Sequence, residues 1–131
     1  MRKYAREVAF CKVYEYIMNN GYLMDADVSL FDSQNLDKDD IEYIKSTQKG
    51  IAEHFAELTT SAEKYAEGFK LDRIFRTDLA ALVLAIYEID YTDTPKAVCV
   101  NEVVEIAKKY SAEKSAGFVN GLLAAYLKGR N

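Results

Sequence analysis

The residues best suited to chemistry lie near the two ends of the chain. Arg2, Lys3 and Arg6 fall within roughly 100° of arc on an ideal helix. Three cations on one helix end suit phosphate contact, because an arginine fork can hold two phosphate oxygens at once. The competing description is a solvated basic start that binds nothing. Toward the other end, Lys114 and Phe118 stand one helical turn apart. By itself that spacing describes a solvent lysine above a core phenylalanine.

Catalytic chemistry finds less support. Glu88 and Glu102 can be drawn as an acid–base pair, yet with Asn101 and Asn120 they sit on otherwise apolar helices, where hydrogen bonding inside a bundle explains them better. His54 is the only histidine, which rules out a di-iron site built from two Glu-x-x-His motifs. No Gly-rich phosphate loop, Cys–His motif or nucleophile elbow occurs. The expectation is a non-enzymatic protein without metal or cofactor. Cys11 and Cys99 lack ligand spacing and read as buried thiols of a reducing cytosol.

The charge balance restricts the partners. The net charge is −4, but its distribution is uneven. Arg2, Lys3, Arg6 and Lys12 face only Glu7 in the first segment. Seven carboxylates against Lys38 fill the stretch from Asp25 to Glu42. Lys108, Lys109, Lys114, Lys128 and Arg130 then outweigh Glu105 and Glu113. Basic ends around an acidic middle are compatible with a local RNA footprint. The start is not a signal peptide, and the apolar run Leu79–Tyr87 is too short to span a bilayer, so a cytoplasmic location is expected.

These residues need helices to position them. A single proline among 131 residues favours long helices and one domain. The spacing of Val8, Cys11, Tyr14, Ile17 and Met18 predicts a helix from Lys3 to Asn19, stopped by Asn19-Asn20-Gly21. Residues 22–36 read as an acidic loop with a short turn. Asp37 should cap a second helix carrying Ile41, Ile44, Ile51, Phe55 and Leu58 inward, with Thr59-Thr60-Ser61 breaking it. Ser61 would cap a short helix ending near Gly68. The segment from Asp72 to Asp90 is apolar all round at its centre, so it should be the axis of the fold. Pro95 suits the first turn of the next helix, lined by Val100, Val103, Val104, Ala107 and Tyr110. A last helix from Ser111 or Ala112 would bury Phe118, Val119, Leu122, Leu123 and Tyr126.

Four segments, in this order, resemble the NusB family: Ala5-Arg6-Glu7-Val8-Ala9 followed by Tyr14; Leu71-Asp72-Arg73-Ile74 leading to Ala85-Ile86-Tyr87-Glu88; Pro95-Lys96-Ala97-Val98 continuing through Asn101-Glu102 to Glu105-Ile106-Ala107-Lys108; and Phe118-Val119-Asn120-Gly121-Leu122-Leu123. Together they span nearly the whole chain. The resemblance implies an all-α, compact single-domain bundle of about seven helices over residues 1–131. It further implies a transcription antitermination factor that binds single-stranded boxA RNA of ribosomal RNA operons. The partners it implies are the ribosomal protein NusE, the transcription elongation complex and, in some members, a second copy as a homodimer.

On the same resemblance, RNA is held by Arg2, Lys3, Arg6, Lys114 and Phe118, with Phe118 supplying a stacking ring. Tyr14 and Asp78 correspond to positions facing NusE; without the resemblance they read as a core tyrosine and a helix-start carboxylate. The first helix carries fewer arginines than is usual in the family. That leaves an interaction-only helical adaptor as the alternative. A NusB-like domain also occurs fused to ribosomal-RNA methyltransferases, and the end of the chain at Asn131 argues against that form.

Overall fold

The computed structural model describes residues 2–19 and 35–129. Within them the chain forms five α-helices and one 3-10 turn: α1 (Arg2–Met18), α2 (Lys38–Lys64), the turn Leu71–Arg73, α3 (Arg76–Tyr91), α4 (Lys96–Tyr110) and α5 (Ser115–Gly129). No strand occurs among the described residues. The expected loop over residues 22–36 lies almost wholly outside them.

Helix α3 is the axis, as its composition predicts. Every residue from Leu79 to Ile86 is buried, and α1, α2, α4 and α5 all pack on it. Helix α2 begins as expected at Asp37, whose Oδ1 accepts from the Asp40 amide at 2.8 Å, while the Asp37 amide donates back to Asp40 Oδ2 at 3.3 Å. This reciprocal cap satisfies two backbone donors at once.

The described residues hold five α-helices, and one helix fewer than the sequence suggests is counted after Lys38 because α2 does not stop at Thr59-Thr60-Ser61. The hydroxyls of Thr59 and Thr60 donate to the carbonyls of Phe55 and Ala56, so they are satisfied without ending the helix. The irregularity falls instead at His54, where φ is −112° and ψ is 15°. Near this bend α2 and α3 approach closely at Gly50: a Cβ there would lie 2.1 Å from the Tyr87 hydroxyl oxygen. A side chain at position 50 would require the end of the Tyr87 ring to shift.

Helix α1 departs from the single apolar stripe. Its buried residues are Ala5, Arg6, Val8, Ala9, Phe10, Lys12 and Val13, whereas Met18 is exposed. It is wedged against both α2 and α3, with Phe10 against Tyr110 of α4 at 5.4 Å between ring centroids. A helix in a corner buries more than one stripe, and Arg6 falls on an inner side. Pro95 precedes α4 as expected, but α5 begins at Ser115 rather than Ser111. The Ser111 hydroxyl is engaged elsewhere, with Asp78, Thr77 and Ser115.

Candidate nucleic-acid interface

The first turn of α1 places Arg2 and Lys3 in solvent. The Arg2 guanidinium carbon sits 4.3 Å from the centre of the Tyr43 ring, and its Nε lies 3.6 Å from Asp40 Oδ1. Lys3 lines a groove of about 380 Å³ between α1 and α4 with Lys108, Lys109, Glu7 and Glu105. Glu7 Oε1 accepts from Lys109 Nζ at 2.8 Å and from the Tyr110 hydroxyl at 2.7 Å. This clasp ties the basic end of α1 to the end of α4, five residues before Lys114. Burial alone would raise the Glu7 pKa, but the hydrogen bonds from Lys109 and Tyr110 outweigh it and hold the carboxyl below its usual value.

Arg6 is not a third surface cation. It is only 4% exposed. Its Nε and Nη2 donate to the two carboxylate oxygens of Glu88 at 2.8 and 2.9 Å, and Nη1 lies 3.5 Å from Glu102 Oε1. The Tyr43 hydroxyl donates to Glu88 at 2.9 Å. Burial works against the Arg6 charge, but the paired bonds to Glu88 dominate, together with the negative surroundings, and keep the guanidinium firmly protonated. The phosphate role expected of Arg6 is therefore corrected: its fork is filled by a carboxylate inside the protein. Glu88 gave the signal for this, because a carboxylate at the end of the buried apolar run of α3 needs a partner inside the bundle.

At the other corner Lys114 is exposed and Phe118 half-buried. Phe118 meets Phe69 edge to face at 5.8 Å. Both line a cleft of about 250 Å³ with Phe75, Arg73, Lys114 and Asp78. Phe69 and Phe75 are 51% and 61% exposed, a large apolar area that sequence reasoning missed because both lie between helices, where periodicity gives no signal.

Asp78 stands in the first turn of α3. It is 4% exposed, and its Oδ1 accepts from Ser111 Oγ at 2.5 Å, so it is not a protruding charge. Asp78 lines the Phe118 cleft, and Tyr14 is half-buried against the core. Cys99 is buried and Cys11 half-buried, both free; burial pushes the Cys99 thiol up to about 11. No His/Cys/Asp/Glu group among the described residues can hold a metal ion, and no described helix is long and apolar enough to cross a membrane.

Comparison with known proteins decides the family. The NusB family model matches residues 3–128. The chain belongs to the NusB family. A NusB transcription antitermination protein of Finegoldia magna is 38% identical over 128 residues, covering 97% of this chain and 93% of the relative. The solved NusB of T. maritima matches with a TM-score of 0.87 at 28% identity, covering 98% of this chain and 91% of that one. A solved complex of the antitermination factors NusB and NusE with double-stranded RNA matches at TM-score 0.84 and 29% identity, covering 98% and 96%. NusB proteins act in transcription antitermination and are not enzymes, and this chain shares that class.

Proposed function

We propose that this chain binds the single-stranded boxA element of ribosomal RNA operons together with the ribosomal protein NusE, as part of a cytoplasmic transcription elongation complex. The observation that carries the reading is the Glu7 clasp. It joins exposed Lys3 to the Lys108–Lys109 end of α4, and so to the corner holding Lys114 and Phe118. Arg2, Lys3 and Lys114 take phosphates and Phe118 stacks on a base; half-buried Tyr14 offers apolar area and a hydroxyl to NusE. The solved NusB–NusE–RNA complex of the same fold supports the assignment of partners.

The test is a boxA RNA titration, with and without NusE, on the wild type and an Arg2→Ala/Lys3→Ala variant. The variant stays folded, loses affinity, and flattens the log–log salt slope by about 0.7 for each lost phosphate contact. The interior position of Arg6 favours the adaptor reading, in which the chain contacts proteins only. Unchanged affinity and slope, with NusE still bound, would establish that reading instead.

A further inference from the structure

We infer that Ser111 is a positioning residue for RNA binding: its hydroxyl fixes the first turn of α5, and with it the Phe118 ring, against the first turn of α3. The inference rests on the RNA reading above and adds to it a residue that acts through another and touches no RNA itself.

Ser111 closes α4, its amide donating to the Ala107 carbonyl at 3.0 Å, and only residues 111–114 separate α4 from α5. The side chain ties three helices together. The Ser111 hydroxyl donates to Asp78 Oδ1 at 2.5 Å, and the Ser115 hydroxyl donates to Ser111 Oγ at 2.9 Å. Thr77 Oγ1 lies 2.6 Å from the same Ser111 oxygen. A serine hydroxyl carries one proton and two lone pairs. Its proton is committed to Asp78, so Thr77 must be the donor in the third bond. Ser111 Oγ is thereby saturated, with two bonds to the first turn of α3 and one to the first residue of α5.

This node lies inside the protein. Asp78 is 4% and Ser115 2% exposed, and the bond to the carboxylate is of the stronger, charge-assisted kind. Phe118 is differently placed. It is half-buried, and the ring it meets, Phe69, is itself half in solvent. The next residue, Val119, is fully buried and holds α5 on the core. Apolar burial is non-directional and sets depth, whereas hydrogen bonds have preferred angles and set orientation. The Phe118 amide donates to the Lys114 carbonyl at 3.2 Å, so the ring is carried by the same turn that contains Ser115. If that turn is released from Ser111, the ring loses its fixed aim at a base. Lys114 is affected less, because its long flexible stem can follow a phosphate.

The experiment is a boxA RNA titration of the chain without NusE, on samples whose melting curves show them folded. Ser111→Ala weakens binding by about five-fold, the low end of what loss of a stacked base produces. The log–log salt slope stays at its wild-type value, because no cation has been removed. Ser111→Thr keeps the hydroxyl, suits the extended backbone at this position, and restores affinity. In a Phe118→Ala background Ser111→Ala costs less than about two-fold, since two residues acting through one contact are not additive. A purely structural node would give no such dependence on Phe118. Should Ser111→Ala fail to fold, Ser115→Ala removes one bond of the node, leaves Asp78 its donor, and carries the same expectations. Wild-type affinity in the serine variants while Phe118→Ala binds weakly overturns the positioning role and leaves the RNA reading intact. Full additivity with Phe118→Ala overturns it equally. A wild type that binds no boxA removes the RNA reading itself, and this inference with it.

Discussion

Arginine, carboxylate and aromatic rings are grouped both at Arg6–Glu88–Tyr43 and at Arg73–Asp78–Phe118. In the first, both carboxylate oxygens and the arginine fork are filled, and α1, α2 and α3 are locked by one knot. In the second, the rings are half in water, the arginine is exposed, and one carboxylate oxygen has no partner among the described residues. The same side-chain types close on one another in the first region and stay open to solvent in the second. Residue type alone does not separate the two. Geometry does.

The largest expected effect comes from opening the closed knot. Glu88→Ala leaves Arg6 buried without its main partner and should cost about 3–5 kcal/mol in urea unfolding. If instead the loss is under about 1 kcal/mol, the knot is not closed and the contrast between the two regions collapses. Replacing both partners, Arg6→Met with Glu88→Leu, should be milder than Glu88→Ala alone, since no orphan charge remains.

Phe118→Ala gives an intermediate and divided effect. A fully buried phenylalanine costs about 3–5 kcal/mol when truncated. Phe118 is half-buried against Phe69, so its stability loss should fall below that range, with about 1–3 kcal/mol lost from RNA binding. Thermal melting and boxA titration on the same samples apportion the two. A large melting shift with intact affinity per folded molecule would return Phe118 to the closed class.

The smallest effect tests the clasp that links the regions. A carboxylate with a lowered folded pKa contributes stability above its unfolded value and loses it as pH falls through the folded value. Glu7 has such a pKa, lowered from 4.5 chiefly by Lys109 and Tyr110 against the effect of burial. Glu7→Gln should therefore lower stability modestly at neutral pH and converge with wild type as pH drops below 4.5, so that its acid limb is flatter, read from urea midpoints from neutral to acidic pH. An unchanged acid limb would show that the clasp carries no weight.

Much of the fold was legible in residue order. The central apolar run of α3, the Asp37 cap and Pro95 before α4 are local signals, and each marks what it appears to mark. What was hidden depends on neighbours. The continuation of α2 past Thr59 relies on hydroxyls bonding back to carbonyls, which composition reads as a break. The inward turn of Arg6 follows from α1 packing on two helices at once, whereas periodicity assumes one apolar side. For the candidate site, Lys3, Lys114 and Phe118 were visible as types at a spacing. Phe69 and Phe75 were not, because they lie outside the helices and only the folded chain sets them beside Phe118.

Tyr43 has a consequence that reaches past stability. Its hydroxyl is anchored on Glu88 inside the protein, while its ring carries the Arg2 guanidinium on the outside. The interior carboxylate thereby pre-organises a surface cation through an aromatic intermediary. Freezing a long side chain on binding costs about 0.5–1.5 kcal/mol. For Arg2 part of that entropy is already surrendered when the chain folds, so an anion meeting α1 encounters a charge that is aimed rather than one that must be found.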